Sequence, residues 1–216
     1  GIIGSTGCGK STLVNLIPRL YDCTQGEVLV DGVNVKDYDE ESLRDKIGIV
    51  MQKSVMFGGS IRDNIRMGKL DATDEEISEA VQAAQAQNVV DGKKQGLDYI
   101  VEQGGKNLSG GQMQRLCIAR ALVKKPGILI LDDSSSALDY ATDAALRKSL
   151  SSLSYNPTVI TVSQRVSTVM HADRIMVLED GKTVGIGTHE ELLEHCPEYS
   201  ELYMTQIKNG AGGAKA

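Results

Sequence analysis

Residues 4–11 read Gly-Ser-Thr-Gly-Cys-Gly-Lys-Ser and satisfy G-x-x-x-x-G-K-[ST], with Gly4, Gly9, Lys10 and Ser11 at the fixed positions. That spacing suits a polyphosphate. Its glycines let backbone N–H groups close around phosphate oxygens where a side chain would clash, and the positive end of a helix starting near Lys10 faces the same anion. Lys10 is expected to reach the β- and γ-phosphates of a nucleoside triphosphate, and Ser11 to place its hydroxyl on Mg²⁺. Ser5, Thr6, Gly7, Cys8 and Thr12 complete the expected nucleotide contacts. Cys8 reads as a variable position filled by a small residue, although a thiol inside the loop is also a place for alkylation. The second chemical landmark is Asp132, which follows the apolar run 128–131. A carboxylate at the carboxyl end of a buried parallel strand lies where open α/β sheets bind ligands, so Asp132 is expected to hold Mg²⁺ directly or through water. Taken alone, it could equally cap a helix after a strand.

Each of these groups needs a strand before it and a helix after it. Ile2 and Ile3 read as the end of a buried strand, and Leu13, Leu16, Ile17 and Leu20 recur on one helical face, with Pro18 marking a bend or an early end. Residues 27–30 and 33–35 flank Asp31-Gly32 and predict a β-hairpin; residues 173–178 and 182–186 do the same around Asp180-Gly181. Residues 47–51 predict a buried strand ending at Gln52, and residues 127–131 and 158–162 are apolar on consecutive positions, as in a parallel sheet covered on both faces. Between residues 61 and 124 the pattern is helical and loop-rich, clearest over 75–86 after Thr73 as a cap. Helices are expected again over 190–194 and 199–207. Alternation of strands and helices gives an α/β class.

The bulk composition narrows the setting. A length of 216 residues with 41% apolar content allows one sizeable core with a lobe, and a net charge of −6 supplies none of the basic surface that nucleic acid requires. Nucleic acid is therefore not expected as a partner. No apolar run reaches the ~18 residues of a membrane span. Cys8, Cys23, Cys117 and Cys196 show no metal or disulfide spacing, which favours a reduced, cytosolic setting.

The phosphate loop, Leu108-Ser109-Gly110-Gly111-Gln112 and Leu131-Asp132-Asp133, in that order and at those intervals, resemble the nucleotide-binding domain of ABC transporters from residue 4 to about 208. The bland alternative for the second motif is a serine-glycine turn opening a helix over 112–124. The resemblance implies a P-loop NTPase core with a mainly parallel sheet, a small antiparallel β part and a helical subdomain carrying LSGGQ. It divides the chain into a core (1–53 and 125–208), a helical subdomain (54–124) and a flexible tail (209–216). It implies ATP and Mg²⁺ as ligands. In this family LSGGQ caps the γ-phosphate of an ATP held by the opposite subunit of a dimer, which assigns Ser109, Gly110, Gly111 and Gln112 to the partner's nucleotide. Ser136-Ala137-Leu138-Asp139 corresponds to the loop that couples the two sites across the interface, and Asp139 could also cap the following helix. Gln52 matches the glutamine that touches the metal or the attacking water.

Residues 52–65, with Phe57, Gly59, Ile61, Asn64 and Ile65 at recurring places, and Val101-Glu102-Gln103-Gly104-Gly105 resemble exporter-specific segments that meet the membrane domains; both could instead be solvated loops. The implied partners are a second nucleotide-binding domain and transmembrane domains, at the cytoplasmic face of a cell membrane, in a bacterium. The family's leading strand pair with its adenine-stacking aromatic, and the membrane domain itself, are expected to lie outside this piece.

Two positions depart from the family pattern. Asp133 stands where most members place the glutamate that orients the attacking water, and it is shorter by one C–C bond, about 1.5 Å. Gln164 stands where a switch histidine is usual; it donates a hydrogen bond to a γ-phosphate but cannot take up a proton. Both departures fall on the chain's own ATP site, while LSGGQ is intact. That division resembles the slowly hydrolysing half of a heterodimeric exporter. The alternatives are a homodimeric exporter in which Asp133 suffices, a soluble ABC ATPase without a membrane partner, and a nucleotide-gated module without turnover.

Overall fold

In the computed structural model, which describes residues 1–134 and 137–212, the buried strand β1 (Ile2–Gly4) leads through the phosphate loop into α1 (Lys10–Asn15). β2 (Leu29–Val30) turns into β3 (Val33–Asn34) through Asp31 and Gly32, whose φ values of 51° and 79° are those of the hairpin turn that matches strand twist. Next come α2 (Glu40–Asp45), β4 (Ile47–Val50), β5 (Gly59–Ser60), α3 (Ile61–Arg66), α4 (Asp74–Ala83), α5 (Gln87–Asp91), β6 (Ile100–Val101) and the long α6 (Gly110–Leu122). The remaining elements are β7 (Ile128–Asp132), α7 (Tyr140–Ser151), β8 (Thr158–Ser163), α8 (Val166–Val169), β9 (Ile175–Glu179), β10 (Lys182–Gly187), α9 (His189–His195) and α10 (Pro197–Gly212).

Two units are distinguishable: Gly1–Lys36 with the chain from Ile160 onward, and Asp37–Val159. In the first, the strands are ordered β10, β9, β1, β8. β1 runs parallel to β8 (Ile2 opposite Val162, Ile3 opposite Ser163) and to β9 (Gly4 opposite Leu178), while β10 is antiparallel to β9. A Cβ on Gly4 would stand 2.1 Å from the Leu178 carbonyl oxygen, so the close approach of β1 to β9 requires glycine there. Ile3, Val169, Ile175, Val177 and Leu192 pack with Tyr199, which is fully buried and meets His189 Nδ1 through its hydroxyl at 2.8 Å. Burial pushes that phenol up to about 12.

In the second unit β4 runs parallel to β7, Ile47 opposite Ile128 through Val50 opposite Leu131. α6 buries Leu116 and Ile118 against a cluster that includes Val50, Leu129 and Leu131 from the strands and Ile61, Ile65 and Ile77 from α3 and α4. This shared core places β4, β7 and α7 with the helices of 54–124, a broader grouping than a helical subdomain ending at residue 124. The parallel pairs outnumber the one antiparallel pair within these sheets, and the small antiparallel part consists of β2–β3 and β5–β6.

Several helix ends differ from the periodicity. α1 stops at Asn15, leaving Leu16 and Ile17 in turns and Leu20 at a bend, because the residue before Pro18 is disfavoured in helical geometry. α4 stops at Ala83 rather than 86: Gln85 adopts φ 56° and the Ala86 N–H reaches back to the Val81 carbonyl at 2.9 Å, a left-handed helix stop. α6 starts at Gly110, two residues before the expected 112. α10 continues to Gly212, so residues 209–212, expected as tail, are helical, since each added residue extends a helix already nucleated. Residues 213–216 of that tail lie outside the described residues.

One buried amide joins distant parts of the second unit. Asn64, 1% exposed, accepts from the Phe57 N–H (2.9 Å) and from Arg120 (3.0 Å), and donates to the Phe57 and Ser60 carbonyls (2.9 and 3.0 Å). Truncation would leave buried donors and acceptors unpaired. Asn64→Ala is therefore expected to destabilise the protein by about 2–4 kcal/mol, read as a lower urea midpoint. A shift below about 0.5 kcal/mol would show that the loop at Phe57 is held by other contacts.

Candidate functional site

In the first unit the phosphate loop leaves the carboxyl end of β1 and contains no carboxylate between residues 4 and 12. Gly7 and Gly9 have φ 83° and 98°, conformations that an L side chain rarely adopts. Lys10 is only 9% exposed, and its ammonium donates to the carbonyls of Gly4 (2.8 Å) and Ser5 (2.7 Å) and lies 3.6 Å from Cys8 Sγ. The turn between β9 and β10 supports the loop from behind, the Gly181 N–H donating to the Cys8 carbonyl at 3.2 Å. A buried cation, the exposed hydroxyls of Ser5, Thr6 and Thr12 and the half-buried one of Ser11 form a donor-rich set that fits phosphate oxygens. A nearby cleft of about 250 Å³ also touches Gly4 and Ser5, but Glu179, Glu198 and Glu201 line it and would repel a phosphate.

Because Ile3 lies opposite Ser163, the loop after β1 and the segment after β8 begin side by side. The result is a contact that neither stretch of sequence announces: Thr6 Oγ1 donates to Gln164 Oε1 at 3.1 Å. Gln164 is exposed, and this contact leaves its amide N–H groups free to donate.

The second unit repeats the arrangement. β7 ends on Asp132, which is 6% exposed, and Asp133 follows with φ 46°. Gln52 follows the neighbouring β4, and its Nε2 donates to Asp133 Oδ2 at 3.4 Å, a long hydrogen bond. Among the described residues no three His, Cys, Asp or Glu side chains gather as a metal cage. A single buried carboxylate instead suits Mg²⁺, which takes most of its ligands from phosphates and water.

Ser109 and Gln112 cap their own helix. Ser109 Oγ accepts from the Gln112 N–H (3.3 Å), and Gln112 Oε1 accepts from the Ser109 N–H (3.1 Å). Both the turn and the helix of the bland reading are present, and the S-x-x-Q spacing was the available signal for a start at Gly110. Gly110 is exposed, and a Cβ on Gly111 would meet the Ala137 carbonyl oxygen at 3.0 Å, so the motif lies against Ala137. Arg115 fastens the helix start: it donates to Gly111 O (3.2 Å), Gln85 O and Asn88 Oδ1 (both 2.7 Å), a role sequence reasoning missed. Ser136 of the expected coupling loop lies outside the described residues. Asp139 caps α7, and the N–H and hydroxyl of Thr142 hold its carboxyl below the usual carboxylate value.

The segments 52–65 and 101–105 meet. β5 pairs with β6, and the Gly104 N–H donates to the Met56 carbonyl at 3.0 Å. Val55, Phe57 and Ile100 are exposed on these segments, with the Arg120 guanidinium 5.7 Å from the Phe57 ring centre. Glu102 is exposed as well. No helix among the described residues is long and apolar enough to cross a membrane.

Known proteins resemble this chain over nearly its whole length. The family model described as "ABC transporter" matches residues 1–136. An uncharacterized ABC transporter ATP-binding protein of Mycobacterium tuberculosis is 49% identical over 215 residues, 98% of this chain and 37% of that protein. The Bacillus subtilis protein named "Putative multidrug export ATP-binding/permease protein YgaD" is 44% identical over 208 residues, 96% of this chain and 36% of its own length. The chain thus spans little more than a third of these relatives. A solved bacterial Atm1-family ABC exporter with ATP bound superposes with a TM-score of 0.91 at 37% identity, covering 95% of this chain and 36% of that one. With a P-loop NTPase fold, a glycine-rich loop closed over Lys10 and this extent of likeness, the chain is an ABC-type ATPase domain and belongs to the ABC transporter family.

Proposed function

We propose that the chain binds Mg-ATP as the nucleotide-binding domain, residues 1–208, of an ABC exporter working at the cytoplasmic face of a bacterial membrane. The observation that carries the nucleotide site is the loop 4–12, whose charged side chain is the buried Lys10 ammonium and whose hydroxyls and backbone N–H groups are further donors. Lys10 and the loop N–H groups would hold the phosphates, and Ser11, Gln52 and Asp132 are the residues assigned to Mg²⁺. Bound there, the metal would supply positive charge against that of the phosphates. Gln164 donates to a γ-phosphate oxygen. Ser109, Gly110, Gly111 and Gln112 serve the nucleotide of a second ABC domain, with Asp139 at the same interface. The exposed Val55, Phe57, Ile100 and Glu102 offer a mixed apolar and acidic face for the membrane domains.

The finer reading is a heterodimer in which this chain's own site hydrolyses slowly. Asp133 falls short of the attacking water, and Gln164 supplies a hydrogen bond but no titratable group. The competing reading is a homodimer in which Asp133 suffices, its carboxylate having Gln52 Nε2 at 3.4 Å as a weak orienting neighbour. Measurable turnover by the full-length protein paired only with itself would decide for the homodimer.

Two experiments test the site. In the full-length protein, Lys10→Ala should weaken Mg-ATP binding by roughly 10- to 100-fold in calorimetry, while Ser109→Arg should leave binding at this loop intact and stop most turnover of the assembled dimer. Unchanged affinity in the first variant removes the phosphate role of Lys10, and wild-type turnover in the second removes the composite site. The slow-site reading predicts that Asp133→Glu with Gln164→His raises phosphate release by about a hundredfold, more than either change alone. The partner's own site must be disabled and its signature motif made intact, and no gain over the parent would place the defect elsewhere.

A further inference from the structure

Gln206, half buried on α10, makes two hydrogen bonds to one short stretch of backbone. Its Oε1 accepts from the Val166 N–H at 2.8 Å, and its Nε2 donates to the Gln164 carbonyl at 2.8 Å. A primary amide is the side chain that can do both at once, because it carries a donor and an acceptor side by side. The two bonded groups flank Arg165, so the amide closes over the backbone turn between β8 and α8 as a second strand would. On the opposite side, Thr6 Oγ1 of the phosphate loop holds the Gln164 side-chain oxygen at 3.1 Å. Gln164 is thus fixed at its backbone by α10 and at its side chain by the loop.

We infer that Gln206 is a positioning residue for ATP recognition: by clamping the backbone on both sides of Arg165 it aims the Gln164 amide at the γ-phosphate, so the last helix sets the preference for ATP over ADP. This rests on the reading of Gln164 as a γ-phosphate donor. The clamp matters because Gln164 is exposed and lies between β8 and α8, outside both elements. An error near 1 Å in the amide nitrogen would take it out of hydrogen-bond range. ADP has no γ-phosphate, so its binding is indifferent to the clamp. A merely structural role for Gln206 would weaken both nucleotides alike.

The test uses the full-length transporter in membranes, with the partner domain's own phosphate-loop lysine replaced so that only this site is read. Competition of Mg-ATP and Mg-ADP against a fluorescent nucleotide analogue gives the two affinities. Gln206→Met keeps length and packing but neither hydrogen bond, and should lower the ATP-over-ADP preference by about tenfold with ADP affinity unchanged. Gln206→Glu keeps the acceptor for Val166 and loses the donor for Gln164, and should lower the same preference. Gln164→Ala should do so too, and adding Gln206→Met to it should cause no further loss, because one acts through the other. Hydrogen exchange at the Val166 amide should quicken in Gln206→Met. If Gln164→Ala leaves the preference unchanged, the γ-phosphate role of Gln164 falls and the clamp with it. If Gln164→Ala lowers the preference while Gln206→Met leaves it alone, weakens ADP equally or adds its full effect on top, the clamp alone is overturned.

Discussion

The register of parallel strands is the constraint from which the rest of the site follows. A parallel ladder spaces its hydrogen bonds evenly, and a slip of one residue would exchange the two faces of a strand. Burial of Ile2, Ile3 and Val162 in one unit, and of Ile47, Val50, Leu129 and Leu131 in the other, makes such a slip costly. With Ile3 opposite Ser163 and Val50 opposite Leu131, the segments that follow two neighbouring strands start at the same edge. In each unit this device brings together two candidate site residues: Thr6 with Gln164, and Gln52 with Asp133.

The loops themselves are held by short polar devices rather than by apolar contact. Reciprocal caps at Ser60, Thr73, Ser109 and Thr188 each satisfy two N–H groups that a helix start would otherwise leave without partners. At Ser109 the cap also shapes the LSGGQ segment. The serine and Gln112 complete each other, Arg115 ties the first turn to the α4–α5 corner, and the Gly110–Gly111 backbone is presented by a helix end that cannot easily fray. Burial of the Arg115 guanidinium lowers its pKa from the ordinary value, yet arginine stays charged in proteins, so its bonds to carbonyl oxygens remain charge-assisted.

What could be read from the chain in advance was local. The phosphate loop, the Asp31-Gly32 and Asp180-Gly181 turns and the Thr73 cap depend on residues within a few positions of one another, and all are found where their spacing puts them. Lys10 folds back over Gly4 and Ser5, only six and five positions away. Helix ends were less legible. The stop of α4 depends on a left-handed Gln85, a conformation the residue type does not announce, and the start of α6 depends on a serine and a glutamine that read equally well as parts of a turn.

The sequence by itself determined the α/β class, the phosphate loop, the acidic end of β7 and the motif order that marks the family, because these follow from side-chain size, charge and short spacing. Only the tertiary structure decided which groups meet. Thr6 and Gln164 are 158 positions apart, Gln52 and Asp133 are 81, and Gln206 and Gln164 are 42. Glutamine both accepts and donates, so its identity names no partner. The partner is chosen by strand register and helix docking, and these are set by apolar residues distributed over the whole chain rather than by anything near the amide.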